Sequence, residues 1–306
     1  MTYLPPLDAD EWNDVSKNNE VAKMLGLASE FAEDVLKGEP ISLAVFGGSG
    51  MGKNHVVAEA LKKFGPRTQD GHIEIINSNA SKPDGLLDDF HRATHGRKRP
   101  LPIIMNEARN VFSTPPQMNI MKEATDHAPS ATRYWHNYAW YQLEDYEVHF
   151  KNHSVFRTRK VQHMGTSLKC PIICMTNMQL RDMKGDDLAA IRSRMRVIEI
   201  PRDPDAAWEY TVWLALSGDM LVKDRFGKTV PLAVRTNVID WFTANMKRLD
   251  QVSPRTLLDV FNAFVHGKSS LCAATLGLLL ANRSNWRTGR PPQQQDWSAL
   301  RCALTP

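Results

Sequence analysis

Apolar residues recur along this chain in two rhythms, and the change between them falls at a proline-marked stretch near residue 203. Before it, short continuous apolar runs alternate with segments of helical spacing. Val21, Met24, Leu25, Leu27, Phe31, Val35 and Leu36 follow intervals of three and four, which predicts a helix over Asn18–Lys37 that stops at Gly38. Ile41–Phe46 then reads as a buried strand and His55–Phe64 as a helix. Further strands are predicted at His72–Asn77, Leu101–Met105, Pro171–Thr176 and Arg196–Ile200, with helices near Asp84–Thr94, Gln117–Asp126 and Leu188–Arg194 between them. Strands alternating with helices predict an α/β fold, a parallel sheet covered on both faces. Near-continuous apolar strands are what burial on both faces requires.

After Pro201-Arg202-Asp203-Pro204 only the helical rhythm remains, over 205–217, 230–248, 254–266 and 269–282. The predicted organisation is an arm at 1–16, an α/β domain over 17–202, a small all-helical domain over 203–282 and a tail at 283–306. A stretch at about 129–168 fits neither rhythm and reads as a long irregular insert, rich in aromatics and charges.

Composition adds limits rather than a function. A hydrophobic fraction of 42% over 306 residues supports a real core. The longest apolar segment, Leu271–Ala281, is too short to span a bilayer. The N-terminus lacks the basic start and apolar stretch of a signal peptide. These features predict a soluble, cytoplasmic protein with no membrane contact. Cys170, Cys174, Cys272 and Cys302 have no zinc-like spacing and read as buried small hydrophobes in a reducing compartment. A net charge of +4 permits contact with nucleic acid without demanding it.

Chemistry enters with Gly47-Gly48-Ser49-Gly50-Met51-Gly52-Lys53-Asn54, which fits Gly-x-x-x-x-Gly-Lys between a predicted strand and a predicted helix. Glycines let the backbone take positive φ and turn its N–H groups inward onto phosphate oxygens. The following helix, through Asn54 and His55, points its positive end at the same anion. Lys53 would reach the β- and γ-phosphates as a point charge. The apolar strand Pro102–Met105 delivers Asn106 and Glu107 at its carboxyl end, where ligands bind in open α/β sheets. Glu107 would polarise an attacking water.

Together these residues resemble the AAA+ ATPases, over about residues 18–282. The resemblance implies a P-loop NTPase core followed by a helical lid, with ATP and Mg²⁺ as cofactors. It also implies ATP hydrolysis in a homo-oligomeric ring, a hexamer being favoured. Within it, Asn177 after Ile172–Thr176 corresponds to a residue that senses the γ-phosphate. Ile191-Arg192-Ser193-Arg194-Met195 is similar to the segment whose arginine reaches a neighbouring subunit, which points to Arg194, with Arg192 as the second choice. Val252-Ser253-Pro254-Arg255-Thr256 resembles the start of the lid helix, with Arg255 as the family's lid arginine.

Two positions depart from the family pattern. A hydroxyl is expected at Asn54 and an aspartate at Asn106, and both serve Mg²⁺. Mg²⁺ prefers carboxylate oxygen, so two neutral amides predict a weaker metal site and slow hydrolysis, or binding without hydrolysis. In the insert, Arg133–Tyr141 and His149–Lys160 combine aromatics with cations and would suit a nucleic-acid strand, although Glu144, Asp145 and Glu147 oppose it. The resemblance implies a hairpin just before the sensor strand that grips nucleic acid or polypeptide in a central pore; the alternative is a hairpin whose aromatics pack on the sheet and on neighbouring subunits. Three function classes follow. The first is a ring-forming ATPase working on nucleic acid, as a helicase loader or a replication or packaging motor. The second is an ATPase remodelling a polypeptide, and the third a nucleotide-bound scaffold that does not hydrolyse.

Overall fold

The computed structural model describes residues 17–78, 82–126, 134–149, 154–217, 220–224, 226–249 and 251–266. The arm 1–16, the predicted helix 269–282 and the tail 283–306 lie outside the described residues. The chain divides into two compact units: one holds residues 25–47 and 53–199, the other 17–24, 48–52 and 200–266 among those described. The second unit therefore takes in the inner residues of the glycine loop, a grouping that the pattern along the chain does not reveal.

In the first unit, helix α1 (Glu20–Lys37, grouped here from Leu25) leads to strand β1 (Ser42–Phe46). Helix α2 (Lys53–Phe64), strand β2 (Ile76–Ser78), helix α3 (Pro83–Thr94) and strand β3 (Ile103–Met105) follow. Helices α4 (Arg109–Ser113) and α5 (Pro115–Ala124) come next, then strands β4 (Tyr134–His149) and β5 (Ser154–Ser167). Strand β6 (Ile172–Thr176), helix α6 (Gly185–Arg194) and strand β7 (Met195–Glu199) complete it. Five strands form a parallel sheet in the order β2-β3-β6-β1-β7. Leu43 of β1 lies opposite Ile173 of β6 on one side and Arg196 of β7 on the other. All five residues of β1 and of β6 are buried, as a central strand covered on both faces must be.

Phe46, Phe90, Leu86, Leu87, Ile103, Met105, Met118 and Ile120 are fully buried. The Phe46 ring lies 5.2 Å from that of Phe112, a residue of α4. Truncating a buried phenylalanine of this kind costs about 3–5 kcal/mol. At the sheet border Arg196 pairs with Asp34 at 2.6 Å and Glu39 at 3.0 Å and stacks over the Phe31 ring, fastening β7 to α1. Cys170 and Cys174 are buried free thiols, and burial pushes the Cys174 thiol up, which makes it unreactive.

Two expectations for the first unit change. The stretch at about 129–168 is not irregular where it is described: β4 and β5 pair as an antiparallel hairpin with a bulge between Trp135 and Ala139. Aromatics on both parities there, Trp135 and Tyr141 as well as Tyr138 and Trp140, hide the period of two that identifies a strand. The second predicted strand is shorter than expected, because residues before Ile76 fold back locally. Glu74 N–H donates to Pro66 O at 2.8 Å and Thr68 N–H to His72 O at 2.8 Å.

The second unit contains α7 (Pro204–Ser217), α8 (Leu232–Asn245) and α9 (Pro254–His266). Val238, Ile239 and Phe242 of α8 and Leu257, Val260 and Phe261 of α9 supply its buried core. The Trp208 indole N–H donates to Thr243 Oγ1 at 3.1 Å. Asn19 caps α1 by accepting from Val21 and Ala22 N–H through Oδ1, while its amide donates to Ala206 O at 2.9 Å. The helix expected over 230–248 ends at Asn245 and tightens into a 3₁₀ turn over Met246–Arg248.

Candidate functional site

The first unit brings several of the sequence-selected residues to the carboxyl edge of its sheet. β1 ends at Phe46, and the next residue, Gly47, takes φ 143° and donates its N–H to Met178 O at 3.2 Å. That bond ties the start of the loop to the segment after the neighbouring strand β6. Lys53 opens α2 and is buried at 6% exposure, so its ammonium must find partners inside the protein. Its Nζ donates to Gly47 O at 2.9 Å and to Asn177 Oδ1 at 3.1 Å. The sensor candidate and the loop lysine are therefore in direct contact, although 124 residues separate them in sequence. Asn54 and His55 follow on α2, and both are exposed.

Glu107 leaves β3 in an uncommon backbone conformation. Its φ is 57°, the only positive value among described residues other than glycine. A left-handed residue with a long side chain costs about 1–2 kcal/mol, and such strain gathers at functional sites. Neighbouring bonds fix it: Ala108 N–H donates to Met175 O at 2.8 Å, and Arg109 N–H to Glu107 O at 2.6 Å. Asn106 and Glu107 are exposed, and both line a small polar cleft with Ser78, Ala108 and Asn110. Behind this cleft the Ser78 hydroxyl donates to Asp89 Oδ2 at 2.5 Å. Burial pushes the Asp89 carboxyl above its ordinary range, against the Ser78 bond and the Arg92 charge.

Arg194 and Arg192 differ in surroundings. The Arg194 guanidinium is half-buried, donating to Ala190 O at 3.2 Å and lying 4.0 Å from Asp126. Arg192 is exposed.

In the helical unit, the loop residues Gly48, Ser49, Gly50, Met51 and Gly52 group with the segment that starts α9. Gly50 has φ 74° and Gly52 φ 94°. A Cβ on Gly50 would sit 2.8 Å from Arg255 Cβ and 2.9 Å from Ser253 Oγ, so position 50 excludes a side chain twice over. Arg255, exposed on the first turn of α9, therefore stands beside Gly50. The Gln251 side-chain amide donates to Ser49 O.

Gln251 carries no signal that would pick it out in the sequence. Ser253 does: it accepts from Thr256 N–H at 3.2 Å as a helix cap, and Ser before Pro is a recognisable helix start.

Mg²⁺ would find a sparse set of ligands on the protein. Asn54 and Asn106 offer neutral amide oxygens and Glu107 a carboxylate, and no group of three His, Cys, Asp or Glu suited to a metal occurs among the described residues. That set fits a metal carried in by phosphate oxygens and water.

No protein-family model matches the chain, and no curated protein matches it. Among solved structures, it is similar to NtrX from Brucella abortus in a crystal structure in complex with ATP. Identity is 13% and the TM-score 0.35, covering 92% of this chain and 58% of that one. A second crystal structure of NtrX gives 12% identity and a TM-score of 0.34, over 91% of this chain and 70% of that one. The chain thus spans 58% of the length of the first of these. At this level of similarity the reading rests on the chain's own residues. They define an α/β protein whose parallel sheet carries a glycine-rich strand–loop–helix of the P-loop kind. Among the described residues no helix is long and apolar enough to cross a membrane.

Proposed function

We propose that this protein is an AAA+ type ATPase that binds ATP on the loop Gly47–Lys53. The observation that carries this reading is the buried Lys53 ammonium at the start of α2, held by Gly47 O and Asn177 Oδ1. A phosphate oxygen can replace either neutral acceptor and gain a charge-assisted bond. Glycine N–H groups and the amino end of α2 add to the same anion site. Arg255, beside Gly50, would meet the terminal phosphate. Asn54 and Asn106 would hold Mg²⁺ through amide oxygens, and Mg²⁺ when bound would neutralise charge on the phosphates. Glu107, exposed at the strand end, would take the proton of the attacking water, with Asn177 orienting that water.

Turnover in this reading takes place in a homo-oligomeric ring, where Arg194 or Arg192 reaches the site of the next copy. The work is done on nucleic acid. A second reading, a nucleotide-bound scaffold, is favoured by the two amides at Asn54 and Asn106, which leave Mg²⁺ with less charge to hold it.

Calorimetric titration with ATP tests the first step. Lys53→Met should abolish the binding heat and leave the far-ultraviolet circular dichroism unchanged, and undiminished binding by the variant would sink the proposal. Phosphate release with Mg²⁺ then separates the two readings. Glu107→Gln should lower turnover by about 10²–10⁴-fold. Equal, background-level rates in both proteins would select the scaffold. Sizing with and without ATP tests the ring.

A further inference from the structure

We propose that the turn between α3 and β3 is a phosphate-backbone contact surface for nucleic acid, separate from the nucleotide site. It names the surface for the nucleic-acid partner of the reading above, and it rests on that reading only for the choice of partner.

From Phe90 to Asn106 the chain contains no aspartate or glutamate, while Arg92, Arg97, Lys98, Arg99, His91 and His95 all fall within it. Residues 95–100 are exposed throughout. The turn is held in shape at its base: His95 N–H donates to His91 O at 2.7 Å, Arg97 N–H to Thr94 O at 3.3 Å and Leu101 N–H to Ala93 O at 2.9 Å. Gly96 supplies the left-handed residue at φ 66°. Arg97 is positioned further by its Nε bond to Arg92 O at 3.2 Å and its pair with Glu74 at 2.7 Å. Cations on an ordered turn lose less conformational freedom on binding than cations on a loose one.

Sheet topology extends the patch. β3 pairs in parallel with β6, Ile103 opposite Ile172, so exposed Lys169 before β6 shares the amino edge of the sheet with Arg99 before β3. Strands in a sheet are only about 4.8 Å apart. Lys53 and Asn177 lie at the opposite, carboxyl edge, so a strand held here leaves the nucleotide site open. The patch suits a polyphosphate rather than a lipid surface. Residues 95–100 include no Leu, Ile, Phe or Trp to insert among acyl chains, as interfacial binding requires.

The test is fluorescence anisotropy of the full chain with labelled duplex and single-stranded DNA, from about 50 to 200 mM salt, where each phosphate contact contributes a slope of about 0.9 for duplex and 0.7 for a single strand. The double variant Lys98→Glu with Arg99→Glu should weaken binding by about tenfold or more and flatten the log–log slope by about 1.4–1.8. Lys17→Glu with Lys23→Glu, an equal charge change at exposed positions of α1 and its lead-in, should do neither. Circular dichroism and ATP titration of both variants check that fold and nucleotide site are intact. Equal losses in the two double variants would overturn the surface while leaving the nucleic-acid reading standing. Absence of binding by the native protein, or binding to phosphatidylserine vesicles in place of DNA, would overturn both. Loss of ATP binding by Lys53→Met with DNA binding retained is the outcome expected of two separate sites.

Discussion

Gly50 and Gly227 form a matched pair for weighing what the loop glycine does. Both belong to the helical unit, and both have nearly the same backbone, φ 74° and φ 78°. Nothing lies within 4 Å of a Cβ built on Gly227. A Cβ on Gly50 would meet Arg255 Cβ at 2.8 Å and Ser253 Oγ at 2.9 Å. Neither neighbour is a loose tip. Arg255 Cβ is one bond from the backbone of α9, and Ser253 is buried at 1% exposure while capping that helix through Thr256. Gly227→Ala therefore costs only the left-handed term, about 1–2 kcal/mol. Gly50→Ala costs the same plus an overlap of about 1–3 kcal/mol. With a urea slope of about 2 kcal/mol per molar, the extra loss lowers the midpoint by about 0.5–1.5 M. Because two units can unfold separately, the readout should be hydrogen exchange of α8 and α9 amides across urea. Equal midpoints for the two variants would show that the glycine serves backbone conformation alone and that α9 does not crowd the loop.

Three further outcomes are expected. Glu107→Gly should be more stable than Glu107→Ala by about 1 kcal/mol, since only glycine is at ease at φ 57°. Thermal melts of the two give the comparison, and a more stable alanine variant would refute the strain. Asp89 should set a pH dependence. Its folded pKa is raised above the unfolded one by burial, so the native state binds the proton more tightly. Its contribution is fully present below the unfolded value and lost as pH rises through the folded one. Relative to Asp89→Asn, the native protein should weaken across that window and run parallel above it, and a constant gap between urea midpoints at all pH values would refute this. Arg194→Ala should lower the melting temperature through loss of its Ala190 and Asp126 ties, whereas exposed Arg192→Ala should not. ATP turnover of each variant, measured in the assembled state, then assigns the role in trans; unaltered turnover in both would remove it.

Legibility in the sequence followed the physics of each feature. β1, β3 and β6 were readable because strands buried on both faces are nearly continuous in apolar residues, as Leu43–Phe46 and Ile172–Met175 show, whereas β2 and β7 carry polar residues and β2 was placed less closely. The loop was readable because phosphate cradling restricts residue type at fixed spacing. The hairpin β4–β5 was not legible from periodicity, since its aromatics fall on both parities, and only the family resemblance implied a hairpin before β6. Contacts between distant segments were also hidden. Lys53 meets Asn177, and Gln251 meets Ser49, through single side-chain bonds that leave no periodic trace. The left-handed Glu107 was invisible for a similar reason: glutamate is not the residue that such a backbone selects.

The hairpin also changes the statistics of the chain that carries it. β3 and β6 are neighbours in the sheet, yet both strands of the hairpin are threaded between them in sequence. Closing that loop in an unstructured chain would carry an entropy cost that grows only with the logarithm of its length, about 0.6 kcal/mol per doubling. Excising residues 134–167 roughly halves the connection, so loop closure should become easier by about that much, set against the loss of the hairpin's packing on α3 and α5. An insertion so cheap in chain entropy can change in length at little cost wherever it does not pack on α3 and α5, and this leaves that part of β4–β5 open to change under selection on whatever it touches.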